Sequence, residues 1–109
     1  MAGLWGNAWV ALALAGLLEI VWAIGLKYSE GFTRFWPSVI TVIGAFASFW
    51  LLSHAMKSLP AGTAYAIWVG IGALGVAVLG MVLFGESVNT MRLAGIGLIV
   101  AGIIALKLA

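Results

Sequence analysis

The sequence predicts an all-α membrane protein with four transmembrane helices. Its 109 residues are 65% hydrophobic and only 7% charged, whereas soluble domains average about 25% charged residues. Four apolar stretches follow one another along the chain, and short connections that carry charged or turn-forming residues separate them. Because these connections are short, we expect consecutive helices to be antiparallel neighbours in an up-and-down bundle.

Each apolar stretch is long enough to be a membrane-spanning helix. The first covers residues 4–26, which make a helix of roughly 34 Å. Pro37 opens the second, where proline is favourable because a first-turn residue has no N–H bond to lose. The fourth is only about 24 Å long, which suits a thin or locally adapted bilayer. The expected helices, all in a single domain that covers residues 1–109, are about 4–26, 37–55, 60–84 and 91–106.

Several classes of function are disfavoured by the composition. The five basic residues are scattered singly along the chain, whereas a nucleic-acid partner would require a basic patch. With no cysteine, the chain has no disulfide framework, thiolate metal site or thiol nucleophile. We find no nucleophile–base pair, metal-ligand cluster or phosphate-binding loop in the sequence, and therefore expect no enzyme activity, cofactor or metal.

One motif is misleading. Residues Gly70 to Gly75 match the pattern GxGxxG, which in nucleotide-binding proteins follows a strand and precedes an acid about twenty residues downstream. Here the glycines lie inside an apolar stretch, and the next acid, Glu86, is too close. We therefore predict that Gly70 and Gly72 permit close helix packing and a flexible kink.

Glu19 is the only charged residue inside the first apolar stretch. It precedes Lys27 by eight residues, or about 12 Å along a helix, so its short carboxylate cannot easily reach headgroup water. A central acid costs on the order of 2.5–3.5 kcal/mol on insertion scales. We therefore predict a functional role for Glu19; the alternative is a purely structural hydrogen bond.

Helical spacing places Glu19 on a face with small residues, and the third helix has a comparable face. The face of the first helix comprises Ala8, Ala11, Ala15, Glu19 and Trp22. The face of the third comprises Ala61, Tyr65, Trp68, Gly72 and Gly75. Ser48 and Gly44 add a hydroxyl beside a small residue on the second helix. One acid among aromatic rings and hydroxyls predicts a cation site, although Tyr65 and Trp68 fit an interfacial aromatic belt equally well, and a lone serine is common at helix contacts.

The fourth helix has no polar residue between Arg92 and Lys107. Gly95 and Gly102 lie seven residues apart and form part of a stripe of small residues. Because four short helices cannot enclose a substrate path alone, we predict that this helix packs against a second copy at Gly95 and Gly102.

The distribution of basic residues between the two sides of the membrane hardly favours one orientation of the protein over the other. One side carries Lys27, Arg34 and Arg92, and the other carries Lys57, Lys107 and the terminal amine. Orientation follows the bias of Lys and Arg between the two sides. Either one residue decides a weak preference, or the protein inserts both ways and pairs with its inverted copy.

With these residues identified, the sequence resembles the small multidrug resistance family, whose members are four-helix proton-coupled exporters of bacterial inner membranes. The resemblance covers nearly the whole chain. It includes Glu19, the segments 26–33, 59–60 and 64–68, and the glycines at 70–72 and 95–102. Residues 19–23 and 27–34 are most similar to the guanidinium-exporter branch. Two residues in the second turn, His54 and Met56, look particular to this chain and are expected to be peripheral.

The resemblance implies a proton-coupled antiporter that exports guanidinium, or a small substituted guanidinium cation, as an antiparallel dual-topology homodimer in the lipid bilayer. It implies that Glu19 binds either a proton or the substrate. Ser48, Tyr65, Trp68 and Trp22 match the positions that line the site and orient that carboxylate.

Three alternatives remain open on the sequence. The chain could be a multidrug exporter of quaternary ammonium or aromatic cations from the same family. It could be half of a heterodimer that exports a polyamine or handles lipid. It could also be a membrane assembly or regulatory subunit without transport activity.

Overall fold

A computed structural model describes the backbone of residues 2–109, with side chains described from residue 8 onward. The chain forms four helices, which are α1 (Ala2–Tyr28), α2 (Phe35–Met56), α3 (Ala61–Leu83) and α4 (Thr90–Leu108). Each is long and apolar enough to cross a membrane. The prediction of an all-helical protein is therefore confirmed, with four helices that are able to span a membrane.

The helix ends follow local chemistry and differ from the expected bounds by only a few residues. Lys27 lies in the last turn of α1, where a cation interacts favourably with the helix dipole. Pro60 immediately precedes α3. At the start of α4, the Asn89 side chain accepts a hydrogen bond of 2.8 Å from the backbone N–H of Arg92, which satisfies a donor that has no partner within the helix.

The loop between α1 and α2 is a tight turn organised by Ser29, which is fully buried. The Ser29 hydroxyl donates to the carbonyl of Leu26 at 2.7 Å and accepts from the backbone N–H of Phe32 at 3.1 Å. Glu30, Gly31 and Phe32 have positive φ angles of 48°, 74° and 66°. Such angles are unfavourable for residues with a side chain, so the hydrogen bonds of Ser29 hold the chain in this turn.

Three of the helices form a closely packed group. α1 packs against α2 and α3, and α2 also contacts α3. The contact surface of α1 consists of the small residues expected from helical spacing, because Ala8, Ala11 and Ala15 are all buried. Small side chains allow the helix backbones to approach closely, and van der Waals packing is the main attraction between helices in lipid.

The fourth helix lies outside this group. At the level of the backbone, α4 runs beside α3 and beside no other helix of the described chain. None of its residues is buried. Arg92 in its first turn forms an ion pair of 3.0 Å with Glu86 in the preceding loop. A helix that is apolar throughout but unburied within its own chain faces lipid or another protein.

Candidate functional site

A cavity of about 590 Å³ opens between α1, α2 and α3. Glu19 and Trp22 of α1 line it together with Tyr65 and Trp68 of α3. These four residues come from two faces predicted separately from helical spacing, and packing of α1 against α3 brings them together. The remaining lining residues are Phe49, Leu52, Ser53, Met56 and Val69.

Glu19 is only partly buried, but one of its carboxylate oxygens is fully enclosed. Oε1 is buried and has no hydrogen-bond partner among the described residues. Gly72 of α3 lies directly against this carboxylate, so that a Cβ atom at Gly72 would overlap Oε1. A buried oxygen without a partner costs free energy, which indicates that the carboxylate is arranged to receive a group that the chain itself does not supply.

Trp22 lies one turn beyond Glu19 and also has a buried polar atom, Nε1, without a partner among residues 8–109. Gly44 of α2 packs closely against Trp22, since a Cβ atom at Gly44 would be 3.1 Å from the Trp22 Cβ. The Trp22 ring meets Phe49 edge to face, with centroids 6.2 Å apart. An indole N–H can only donate, so Trp22 adds an unpaired donor to the cavity that Glu19 also lines.

Ser48 links all three helices of the group. Its hydroxyl donates to the carbonyl of Ala15 at 2.6 Å and accepts from Nε1 of Trp68 at 2.9 Å. Ser48 is fully buried and Trp68 is only 6% exposed. In this conformation neither the Ser48 hydroxyl nor the Trp68 N–H is free for a ligand. Their contribution to the cavity is to fix the Trp68 ring, whose π face can attract a cation.

Tyr65 occupies the open side of the cavity. It is 54% exposed, and its ring lies 5.5 Å from that of Trp68. The Phe49 ring also packs against Trp68, with centroids 5.8 Å apart. The site is therefore walled by aromatic rings around a single acid, an arrangement that suits a cation able to use both charge and ring faces.

Sequence reasoning missed the contribution of α2 beyond Ser48. Phe49, Leu52, Ser53 and Met56 all line the cavity. Their spacing of three or four residues is the signal that could have identified them, because it places them on one helix face. Met56, which we expected to be peripheral, is therefore a wall of the cavity.

The glycines singled out in the sequence fall in two environments. Gly70 and Gly72 are positions of close approach in an uninterrupted α3, against Ile103 and Glu19 respectively. At Gly95 and Gly102, by contrast, an added Cβ would meet nothing within 4 Å. The roles predicted for the first pair in flexibility and for the second pair in dimer packing remain predictions.

No group of three or more potential metal-ligating side chains occurs in the described part of the chain. What the cavity presents instead is one carboxylate, one unpaired indole N–H and a set of aromatic walls, between helices that can cross a membrane. These features are those of a multi-pass membrane protein with a cavity that holds a single acid among aromatic rings.

Comparison with known proteins agrees with this class. The model of the family described as Small Multidrug Resistance protein matches residues 7–99, and the chain belongs to that family. It is 64% identical to a guanidinium exporter of Yersinia pseudotuberculosis serotype I (strain IP32953), over 94% of this chain and 98% of that protein. It is 63% identical to a guanidinium exporter of Escherichia coli (strain K12), over 94% and 97%. A guanidinium exporter of Proteus vulgaris is 61% identical, over 94% and 98%.

Proposed function

We propose that this chain exports guanidinium across the bacterial inner membrane in exchange for protons, with Glu19 as the site that the two cations share. The observation that carries the proposal is the unpaired Glu19 carboxylate in a cavity between apolar helices. The substrate is taken from relatives above 60% identity that are named guanidinium exporters.

The chemistry of the cavity suits guanidinium. This cation is planar and presents parallel pairs of N–H groups. The two oxygens of one carboxylate can accept hydrogen bonds from both N–H groups of such a pair. Once Glu19 has bound it, the flat faces of the cation can stack on the rings of Trp68 and Tyr65. The N–H of Trp22 has no partner in the structure and cannot bond to guanidinium, which has only donors. In the proposed bound state it therefore donates to the Glu19 carboxylate and holds it in place.

Coupling to protons follows if the two cations cannot bind at once. A protonated Glu19 is neutral and keeps one oxygen for its own proton, so it loses both the charge and the paired acceptors that guanidinium needs. If the cavity opens to one side of the membrane at a time, each passage of guanidinium in one direction requires passage of a proton in the other. Exchange is then obligatory.

The proposed functional unit is an antiparallel homodimer. The balanced distribution of basic residues supports insertion in both orientations. The unburied α4, with Gly95 and Gly102 open at its surface, offers a face for a second copy. In such a dimer, exchange of roles between inverted copies would interconvert the inward-open and outward-open states.

Uptake of guanidinium into proteoliposomes, driven by a pH gradient, tests the proposal. Wild type should accumulate guanidinium, and Glu19→Gln should abolish gradient-driven uptake. Glu30→Gln is the matched control, because Glu30 lies in the exposed turn between α1 and α2 and should leave uptake unchanged. Uptake by Glu19→Gln equal to that of wild type would refute the proposed mechanism.

The same vesicles separate the alternatives. Transport of tetraphenylphosphonium without guanidinium would assign the chain to multidrug export. Activity that requires a second, different chain would indicate a heterodimer. Absence of flux for every cation, with the purified protein folded, would favour an assembly subunit.

A further inference from the structure

A second groove lies apart from the cation cavity, on the outer surface where α1, α3 and α4 meet. Its volume is about 200 Å³. Apolar side chains form its walls, among them Ala13 of α1, Ile71 of α3 and Ile103 of α4. Trp9 and Lys107 complete the lining and are its amphipathic members. None of these residues lines the cavity that contains Glu19.

The amphipathic members of this groove lie toward one end of the helix bundle. Lys107 is in the last turn of α4, and Trp9 is in the N-terminal part of α1. In an up-and-down arrangement these two helix ends lie on the same side of the membrane. The Lys107 ammonium lies 5.4 Å from the centre of the Trp9 ring. Indole rings favour headgroup depth, so the pair marks where the groove meets the interface.

Among residues 8–109, Lys107 forms no ion pair with a carboxylate. Within residues 8–109, the ion pair that forms joins Arg92 to Glu86, on the loop at the opposite end of α4. An ammonium has three donors, and the Trp9 ring engages the charge from one direction only. Lys107 can therefore still bind an anion that approaches from the interface.

We propose that this groove binds an anionic phospholipid, with the headgroup phosphate on Lys107 and an acyl chain lying between α1 and α4 over Ile71. Charge complementarity selects an anionic headgroup over a zwitterionic one, since a lysine near the membrane surface attracts anionic lipids. The apolar walls accept the hydrocarbon chain.

This lipid can stay bound when a second copy is present. Gly102 precedes Lys107 by five residues, so the two residues point about 140° apart around α4. A partner that packs on the face of Gly95 and Gly102 would therefore leave the groove open to lipid. The proposal does not depend on which cation the protein transports.

Native mass spectrometry of the purified protein, equilibrated with equal amounts of phosphatidylglycerol and phosphatidylcholine of identical chains, tests the site. Wild type should retain phosphatidylglycerol preferentially. Lys107→Gln should reduce this preference about fivefold, the effect expected of one cation at the headgroup, and Lys107→Arg should keep it. Ala13→Phe should fill the groove and reduce retention of both lipids.

Lys57→Gln is the matched control, because Lys57 is an exposed basic residue placed on the same side of the membrane and does not line the groove. It should leave the preference intact. Equal losses in the two glutamine variants would show diffuse attraction and overturn the proposal, as would an unchanged preference in Lys107→Gln. Disulfide formation between two copies of Ala13→Cys in membranes would also overturn it, by showing that a second copy covers the groove.

Discussion

Gly72 of α3 lies against the carboxylate of Glu19 on α1, so closely that a Cβ atom at position 72 would overlap the buried oxygen Oε1. The wall behind the acid is therefore bare backbone. Neighbouring positions show the same close approach of the two helices, because an added Cβ at Gly16 would be 2.6 Å from Ile71. The position of the carboxylate in the cavity thus depends on the absence of a side chain on the opposite helix.

Gly72→Ala should weaken guanidinium binding. The added methyl group must displace the Glu19 carboxylate or separate α1 from α3. A misplacement of about 1 Å can cost on the order of a hundredfold where geometry is critical, so we expect affinity to fall by about tenfold to a hundredfold. Isothermal titration with guanidinium measures the change. Gly62→Ala is the control, since nothing lies within 4 Å of a Cβ there; equal affinity in both variants would contradict this account of Gly72.

Ser48→Ala should destabilise the protein more than Trp68→Phe does. Removing the hydroxyl leaves the buried Nε1 of Trp68 without a partner, and an unsatisfied buried group costs about 1–3 kcal/mol. The carbonyl of Ala15 loses the bond from Ser48 but keeps its bond within α1. Trp68→Phe removes a donor but leaves Ser48 bonded to Ala15. Thermal unfolding in detergent compares the two variants with Ser58→Ala, an exposed position in the loop after α2. A larger loss in Trp68→Phe would show that ring packing outweighs the hydrogen bonds.

Cysteine crosslinking should reveal how two copies meet along α4. The chain has no cysteine, so introduced pairs can be interpreted directly. In an antiparallel arrangement centred between the two glycines, Gly95→Cys on one copy should crosslink to Gly102→Cys on the other. A sample that contains only the Gly95→Cys variant, or only the Gly102→Cys variant, should crosslink poorly. Efficient linkage of Gly95→Cys to itself would instead indicate parallel copies.

Guanidinium affinity should fall as the pH is lowered. Protonation of Glu19 removes the charge and the acceptor that bind the cation, so the dissociation constant should rise as the pH is lowered, with a limiting slope of about tenfold per pH unit for one competing proton. Tryptophan fluorescence titrations can follow this, because Trp22 and Trp68 line the cavity. Glu19→Gln should bind weakly with no such slope. A slope equal to that of wild type in this variant would place the proton at another residue.

The sequence was sufficient to predict the four helices, because each apolar stretch is continuous and polar residues or prolines mark its ends. It also placed Glu19 on the buried face of α1, since Ala8, Ala11 and Ala15 recur at helical spacing and are buried together. Both inferences depend on local periodicity, which a single chain displays directly.

What the sequence could not supply was the rotation of α2 and the pairing of its polar groups. Ser48 was predicted to lie in the site, but its hydroxyl is already occupied by Ala15 and Trp68. Such a bond joins residues that are 33 and 20 positions apart, so no local pattern encodes it. Met56 was misjudged for the same reason, because its place in the cavity depends on how α2 turns against α3.

α4 contributes no lining residue to the cavity that holds Glu19, and none of its residues is buried within the chain. In the proposed homodimer, the residues that bind the small molecule and those that bind the second copy would therefore lie in separate parts of the sequence. After a duplication, mutations in the first three helices can alter selectivity while both products still pair. Heterodimers whose two subunits have different cavities could evolve in this way.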